Sequence, residues 1–212
     1  MADHGPDWCQ RIAAALQTHA ADSVHLYAGD DRRRYGRYHQ PGSGQVRKAG
    51  VLIAIMDGAT PGIVLTERSP HLRSHPGQIS FPGGSVEPGD VDAKAAALRE
   101  SWEEVGLNPT QARVLGRLPD YVTGTGFDIA PFAAWLPADV RLTADVREVA
   151  RIFTLPLPYA LDKANYRRQP ITVSNRGYMF YVIEYNGNYI WGATAAMLHA
   201  LAESVHRYGG GG

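Results

Sequence analysis

Short apolar runs separated by turn-forming residues predict β-strands along much of the chain. Two turns, Asp57-Gly58 and Pro61-Gly62, separate the first two runs. A segment dense in His, Pro, Arg and Gly, residues 68–84, is expected to be a loop. Five runs have the length and apolar content of strands: 51–55, 62–66, 114–118, 130–136 and 178–185.

Apolar residues at helical spacing predict three helices, at residues 8–21, 92–105 and 193–208. For the second helix, Asp90 or Asp92 can serve as the N-cap and Gly106 suits a left-handed C-terminal position. Strands that alternate with helices in this order predict a mixed sheet covered on both faces. The expected fold class is therefore an α/β/α sandwich.

The main domain is expected at residues 46–208. Residues 1–45 would form an N-terminal helix followed by a polar connection, because residues 29–48 are rich in Arg, Gly and Tyr. The closing glycines, 209–212, are expected to be a flexible tail outside the fold.

Composition excludes several classes of protein. The 21 basic and 21 acidic residues cancel, so no global field favours nucleic acid or an anionic membrane as partner. Cys9 is the only cysteine, which excludes an internal disulfide and fits a reducing, cytoplasmic setting. The start lacks the pattern of a secretory signal, and the apolar run at 51–56 is too short to span a bilayer. We expect a soluble protein with a small-molecule ligand, and a homodimer stays open.

An acidic cluster lies on the second predicted helix. Glu100, Glu103 and Glu104 share one helical face, where like charges repel by a few tenths of a kcal/mol per pair. Glu103 and Glu104 also fall in the last turn, where the helix dipole disfavours anions, and Arg99 offsets only part of this cost. The cluster alone is compatible with a solvated acidic face. A bound Mg²⁺ or Mn²⁺ would also remove the conflict, since both prefer carboxylate oxygens.

The residues around the cluster favour the metal. A glycine-started loop, Gly83-Gly84-Ser85-Val86-Glu87-Pro88-Gly89-Asp90, precedes Arg99-Glu100-Ser101-Trp102-Glu103-Glu104-Val105-Gly106-Leu107 by eight residues. This arrangement resembles the Nudix box. The second half matches at each defining position except Ser101, where an aliphatic residue is common. In the first half Asp90 replaces the usual Glu, and one extra residue separates it from Arg99.

The resemblance implies an α/β/α sandwich and metal-assisted water attack on the phosphorus of a nucleoside diphosphate derivative. Glu100 and Glu104 would be metal ligands, with Glu103 a third ligand or shared with Arg99. The Gly84 carbonyl is a further candidate ligand. The base that activates water would be a box glutamate, Glu103, or a glutamate on a later loop. Glu148 resembles that later glutamate, and is otherwise a surface residue on a short helix.

The segment before the box narrows the expected substrate. Leu65-Thr66 and Arg68-Ser69, followed by Arg73, Gly77 and Phe81-Pro82-Gly83-Gly84, resemble the coenzyme A pyrophosphatase branch of the Nudix family. The resemblance covers roughly residues 46–202. Coenzyme A carries an extra 3′-phosphate, and guanidinium groups match phosphate oxygens. Arg68 and Arg73 are thus candidate substrate contacts, the alternative being a structural pairing with a nearby acid or carbonyl.

Further residues allow more than one interpretation. Tyr121, Thr125 and Phe127 suit a nucleotide or pantetheine pocket, although Phe127 suits the core equally. Loop hydrogen bonding is favoured over metal binding for His71 and His75. Trp191-Gly192 is expected to mark the entry to the last helix.

The expected activity is hydrolysis of coenzyme A or acyl-coenzyme A to 3′,5′-ADP and (acyl-)4′-phosphopantetheine, with Mg²⁺ or Mn²⁺. One alternative is another Nudix substrate, such as ADP-ribose or a dinucleotide polyphosphate. The other is a non-catalytic nucleotide-binding or interaction module.

Overall fold

The computed structural model describes residues 7–19, 26–27, 46–72, 75–123, 126–173 and 176–209. The α-helices are α1 (Trp8–His19), α2 (Ala93–Val105), α3 (Leu157–Leu161) and α4 (Gly192–Gly209). The strands are β1 (Leu26–Tyr27), β2 (Arg47–Met56), β3 (Gly62–Arg68), β4 (Ile79–Ser80), β5 (Gly83–Ser85), β6 (Arg113–Arg117), β7 (Tyr121–Val122), β8 (Phe127–Leu136), β9 (Val149–Pro156), β10 (Tyr166–Val173), β11 (Arg176–Tyr185) and β12 (Asn188–Trp191).

A mixed nine-stranded sheet forms the centre of the fold. Its middle is the parallel pair of β2 and β8, in register from Arg47 opposite Phe127 to Met56 opposite Leu136. β3 runs antiparallel to β2 and continues the sheet to β9 and β4, while β6 and β7 pair with β8. The short strand β5 pairs with the start of β2 and leads toward α2.

Side chains alternate between two buried faces of this sheet. Leu52 and Ala54 of β2 pack with Ala97 and Val105 of α2. Ile53 and Ile55, on the opposite face, belong to a larger cluster with residues of α1, α3 and α4. Because successive residues of a strand point to opposite sides, a continuous apolar run is what a doubly covered strand requires. The fold is the predicted α/β/α sandwich with a mixed sheet.

Helix α2 has the ends that its sequence predicts. Asp92 is the N-cap, its carboxylate accepting from the Ala95 N–H at 2.7 Å. Gly106 ends the helix in the left-handed conformation, with φ of 67°. At its start the helix lies so close to β2 that a Cβ on Gly50 would stand 1.8 Å from the Ala93 carbonyl oxygen. The absence of a side chain at Gly50 therefore allows α2 to pack closely against the sheet.

Helix α1 packs into the core of the molecule. Ile12, Ala15 and Leu16 are buried in the same cluster as the α4 residues. A Cβ on Gly116 of β6 would lie 2.7 Å from the Leu16 Cβ, so the glycine permits the close approach of helix and strand. The predicted end of this helix, Ala20 and Ala21, lies outside the described residues, as does most of the predicted polar connection.

Several segments differ from the sequence prediction. The polar connection was expected to reach residue 48, but Arg47 and Lys48 already belong to β2. The expected loop 68–84 contains β4 and most of β5, and Gly209 ends α4 instead of starting a tail. Strands β9, β10 and β12 and helix α3 were not predicted. β10, β11 and β12 form a separate antiparallel sheet against α4.

Candidate active site

Helix α2 presents three carboxylates at graded depths. The Glu104 side chain is 5% exposed, that of Glu100 16% and that of Glu103 54%. The gradient follows from helical spacing, because the face that includes Glu104 turns toward the sheet. A buried carboxylate, a half-buried one and an exposed one therefore stand side by side.

Glu104 carries a charge that the fold only partly compensates. Its Oε2 accepts from the Gly83 N–H at 3.1 Å, and its Oε1 lies 3.8 Å from Arg68 Nη1. Burial raises the pKa of Glu104 to about 7, the Gly83 hydrogen bond and Arg68 opposing the shift and the charges of Glu100 and Glu148 adding to it. Burial likewise raises the pKa of Glu100 above its ordinary value. Both groups would gain from a nearby cation.

Arg99 clamps the glycine loop to the helix. Its Nε and Nη2 donate to the two oxygens of Asp90 at 3.1 and 3.0 Å, and Nη2 also donates to the Ser85 carbonyl at 3.1 Å. Its Nη1 donates to Glu100 Oε1 and Glu103 Oε2, both at 3.0 Å. Hydrogen bonds to Asp90 raise the pKa of Arg99 further, and the guanidinium stays charged. Arg99 thus sets the relative positions of the loop and two carboxylates.

Asp90 is not the cap of α2 but pairs with Arg99 beside the carboxylates. Beside its bidentate pairing with Arg99, it accepts from the Glu87 N–H at 2.8 Å. The Arg99 hydrogen bond holds the pKa of Asp90 below its ordinary value. The signal in the sequence was the acidic residue at the box position where Glu is usual. The Asp side chain at this position pairs with Arg99 through both of its oxygens.

Gly84 lies directly against a carboxylate. A Cβ at this position would stand 2.4 Å from the carboxyl carbon and Oε1 of Glu100, so only glycine fits without displacing that side chain. Gly83 is equally constrained, with φ of 149° and a would-be Cβ 2.4 Å from the Gly50 carbonyl oxygen. The glycine pair therefore brings the backbone of β5 within reach of Glu100 and Glu104.

Glu148 lies in a turn that is hydrogen-bonded to the end of α2. The Asp145 N–H donates to the Glu104 carbonyl at 2.9 Å, and the Ser69 N–H donates to the Glu148 carbonyl at 2.8 Å. The Glu148 side chain is exposed, and its charge raises the pKa values of both Glu100 and Glu104. The chain thus brings this later glutamate into the electrostatic range of the box.

Arg68 ends β3 at an irregularity. The pairing of β3 with β9 shifts register between Glu67 and Arg68, a break of the kind that redirects a side chain. The Arg68 side chain is 28% exposed and points to Glu104. Two other predicted substrate-binding residues, Arg73 and Thr125, lie outside the described residues.

The remaining candidates are placed differently. Tyr121 is 3% exposed and belongs to the core cluster that contains α1 and α4 residues. Phe127 is half-buried, with the Arg47 guanidinium 3.9 Å from its ring centroid. His71 and His75 are exposed. Trp191 and Gly192 mark the junction of β12 and α4, as predicted.

The donor set fits a hard divalent cation in its chemistry. Buried and half-buried carboxylates lie against the glycine backbone of β5, and carboxylate and carbonyl oxygens are the ligands that Mg²⁺ and Mn²⁺ prefer. Within the described part of the chain, no three His, Cys, Asp or Glu side chains converge tightly enough to hold an ion as they stand. Instead Arg99 bridges Glu100 and Glu103, and Arg68 faces Glu104.

Comparison with known sequences places this geometry in a family. A family model described as the NUDIX domain matches residues 46–162, more than half of the chain. The chain belongs to the Nudix hydrolase family. The matched region begins at the residue before β2 and ends at the residue after α3. Helix α2, which carries the three carboxylates, lies near its centre.

Relatives of this Nudix protein cover most of its length. A protein named "Uncharacterized Nudix hydrolase NudL" from Enterobacter sp. (strain 638) is 39% identical over 161 residues, which is 75% of this chain and 83% of that protein. The protein of the same name from Escherichia coli (strain K12) is 40% identical over the same shares of the two chains.

Similar solved structures include an Ap4A hydrolase binary complex from C. elegans, with TM-score 0.46 and 23% identity over 55% of this chain and 84% of that one. A NUDIX hydrolase from Alicyclobacillus acidocaldarius has TM-score 0.48 and 20% identity, over 56% and 82%. None of the helices in the described residues has the length and apolarity needed to cross a bilayer.

Proposed function

We propose that this Nudix hydrolase cleaves the diphosphate bond of coenzyme A or acyl-coenzyme A, giving 3′,5′-ADP and (acyl-)4′-phosphopantetheine. The observation that carries the proposal is Arg68, which lies 3.8 Å from the buried box residue Glu104. A guanidinium in this position adjoins the expected diphosphate site and can bind phosphate oxygens with two donors. Its place in the segment that resembles the coenzyme A branch supports this substrate over other nucleotides.

Glu100, Glu104, Glu103 and the Gly84 carbonyl would hold Mg²⁺ or Mn²⁺. When bound, the metal would neutralise charge on the diphosphate and lower the pKa of the attacking water. Glu104, the most buried of the carboxylates, has the least competition from solvent. Arg99 keeps Glu100 and Glu103 in position and holds the loop that supplies the carbonyl.

Two glutamates are candidates for the base that accepts the proton from water. Glu148 is exposed, is close enough to raise the pKa values of Glu100 and Glu104, and makes no ionic contact in the described residues. Glu103 is also exposed, but Arg99 engages one of its oxygens. Because a free carboxylate is the better proton acceptor, this geometry favours Glu148.

We assign Arg68 and Arg73 to phosphate oxygens of the substrate, and Thr125 and Tyr121 to the pocket around the nucleotide or pantetheine part. The burial of Tyr121 suits a role in supporting the wall of that pocket from the core side.

A substrate panel tests the proposal. Coenzyme A, an acyl-coenzyme A, ADP-ribose and a dinucleotide polyphosphate are incubated with the protein and Mg²⁺ or Mn²⁺, and products are identified by mass. We expect 3′,5′-ADP and 4′-phosphopantetheine from coenzyme A as the fastest reaction. If AMP were released from ADP-ribose faster than coenzyme A is cleaved, ADP-ribose would replace coenzyme A as the proposed substrate. Binding without turnover of any compound, identical in Glu104→Gln, would indicate a non-catalytic module.

A further inference from the structure

The box carboxylates are neutralised by two arginines that are held in different ways. Arg99 makes hydrogen bonds of 3.0 to 3.1 Å to Asp90, Glu100, Glu103 and the Ser85 carbonyl. Arg68 makes one ionic contact among the described residues, to Glu104 at 3.8 Å, which is too long for a hydrogen bond. Arg99 is therefore fixed in the structure, whereas the Arg68 side chain is held by charge alone as far as the described residues go.

The main chain of Arg68 is anchored although its side chain is not. Its N–H donates to the Gln78 carbonyl at 3.0 Å, and its carbonyl accepts from the Gly77 N–H at 3.1 Å. The register shift beside Glu67 aims the side chain at the box, and 28% of that side chain is in contact with solvent. The guanidinium can consequently swing from a fixed base without disturbing the sheet.

Glu104 needs a counter-charge that its immediate surroundings do not otherwise provide. Its second partner, the Gly83 N–H at 3.1 Å, is neutral, and its neighbours Glu100 and Glu148 are acidic. Burying an uncompensated carboxylate costs several kcal/mol, so the ionised form of Glu104 needs a cation close by before any metal arrives. Arg68 supplies that cation in the structure.

We propose that Arg68 is an exchangeable counter-ion, which neutralises Glu104 in the metal-free protein and is released when a divalent cation binds there. The released guanidinium is then free to bind a phosphate group of the substrate. Occupancy by metal and occupancy by a diphosphate are thereby coupled, each favouring the other. This role of Arg68 as a counter-ion rests on the proposed function of the box as a metal site.

Metal affinity without substrate is the direct test. The Kd of Mn²⁺ is measured by titration calorimetry on the full chain for the wild type and for Arg68→Ala. Removal of a competing cation is expected to tighten Mn²⁺ binding about two- to fivefold, the effect of losing one partly exposed ion pair. Thermal unfolding is followed in parallel, and Mn²⁺ should raise the Tm of Arg68→Ala more than that of the wild type.

Two further variants separate the local exchange from other effects. Arg68→Lys keeps the charge near Glu104, and its Mn²⁺ affinity is expected to stay within about twofold of the wild type. Arg151→Ala removes an arginine from the neighbouring strand β9 and leaves its partner Glu67 unpaired. Arg151→Ala therefore changes the net charge of this region by the same amount as Arg68→Ala. Because it leaves the surroundings of Glu104 intact, the Kd of Mn²⁺ should stay nearly unchanged.

A crystal structure with Mn²⁺ provides a second readout, in which the distance between Arg68 Nη1 and Glu104 Oε1 should lengthen from 3.8 Å. Weaker or unchanged Mn²⁺ binding in Arg68→Ala, an equal gain in Arg151→Ala, or an unchanged distance would overturn the exchange. These measurements contain no substrate. The counter-ion exchange can therefore be confirmed even if coenzyme A is not hydrolysed in the substrate panel. It can likewise be disproved even if coenzyme A is hydrolysed.

Discussion

Among single residues, Glu104 combines a buried carboxylate with acidic neighbours. Replacement by Gln keeps an acceptor for the Gly83 N–H and removes the charge. We expect Glu104→Gln to lower metal-dependent hydrolysis on the order of a hundredfold or more. The metal-free variant should be stabilised at pH 8 by on the order of 1 kcal/mol, because no desolvated charge remains. Activity assays and thermal unfolding without metal check both parts. Wild-type turnover in this variant would exclude Glu104 as a ligand.

The titration of Glu104 predicts a pH dependence. Its pKa is about 7 in the folded protein against an ordinary value of 4.5, so the fold favours the protonated form. Its contribution to stability without metal is fully present below pH 4.5 and is lost as the pH rises through 7. A metal ion competes with that proton, and Mn²⁺ affinity should fall by about tenfold per pH unit below the pKa. Titrations from pH 5.5 to 8 test this. The same slope in Glu104→Gln would assign it to another group.

Gly84 and Gly89 offer a matched pair of substitutions in one loop. A Cβ at Gly84 would collide with the Glu100 carboxylate at 2.4 Å, whereas a Cβ at Gly89 would meet nothing within 4 Å. We therefore expect Gly84→Ala to weaken Mn²⁺ binding about tenfold or more and Gly89→Ala to leave it unchanged. Equal Mn²⁺ affinities in the two variants would separate Gly84 from the metal site.

At the scale of elements, Arg99 holds the loop of residues 83–90 on helix α2. Lysine cannot reproduce the two-donor pairing with Asp90 while also reaching Glu100 and Glu103. Arg99→Lys is expected to increase amide hydrogen exchange in residues 85–90 and to lower kcat/KM about ten- to a hundredfold. Arg117→Lys, at an exposed pair with Asp120, should change neither. Unaltered exchange in the loop would show that other contacts hold it.

The bounds of helix α2 could be predicted to within one residue because its ends are coded locally, by an acidic N-cap, which the structure shows to be Asp92, and by Gly106. Strand β10 could not, because Arg167, Arg168 and Gln169 carry no apolar alternation and become a strand only through pairing with β11. The contact between Arg68 and Glu104 could not be predicted from the sequence for a similar reason. It depends on a register shift in β3 and on how closely α2 packs against the sheet.

At the scale of the whole molecule, helix α1 closes the core on the side opposite α2. Leu16 is buried against Gly116 of β6, in the cluster that joins α1, α4 and the sheet. Leu16→Ala should lower the free energy of unfolding by about 2 to 4 kcal/mol, in a single cooperative transition. Gln17→Ala, at an exposed position of the same helix, should have little effect. A first transition confined to α1 would show that the helix unfolds independently of the sheet.

Two sheets of different character complete the molecule. The mixed sheet, with its doubly covered central strands, followed from continuous apolar runs such as that of β2. In the second sheet the central strand β11 was predicted, but its neighbours β10 and β12 were not, because they are single-sided strands without a long apolar run. In the last third of the chain, local patterns thus predicted β11 and helix α4 but not the strands β10 and β12 that complete the second sheet.

The central claim, that the site is built for coenzyme A, is tested most directly by removing one phosphate from the substrate. Values of kcat/KM are measured for coenzyme A and for 3′-dephospho-coenzyme A under identical Mn²⁺ and salt concentrations. We expect coenzyme A to be preferred about tenfold or more, because an arginine that binds the 3′-phosphate, for which Arg73 is the candidate beside Arg68 at the diphosphate, would lose its partner in the dephosphorylated compound. Equal values for the two compounds would contradict the proposed role of the arginine segment and the substrate assigned from it.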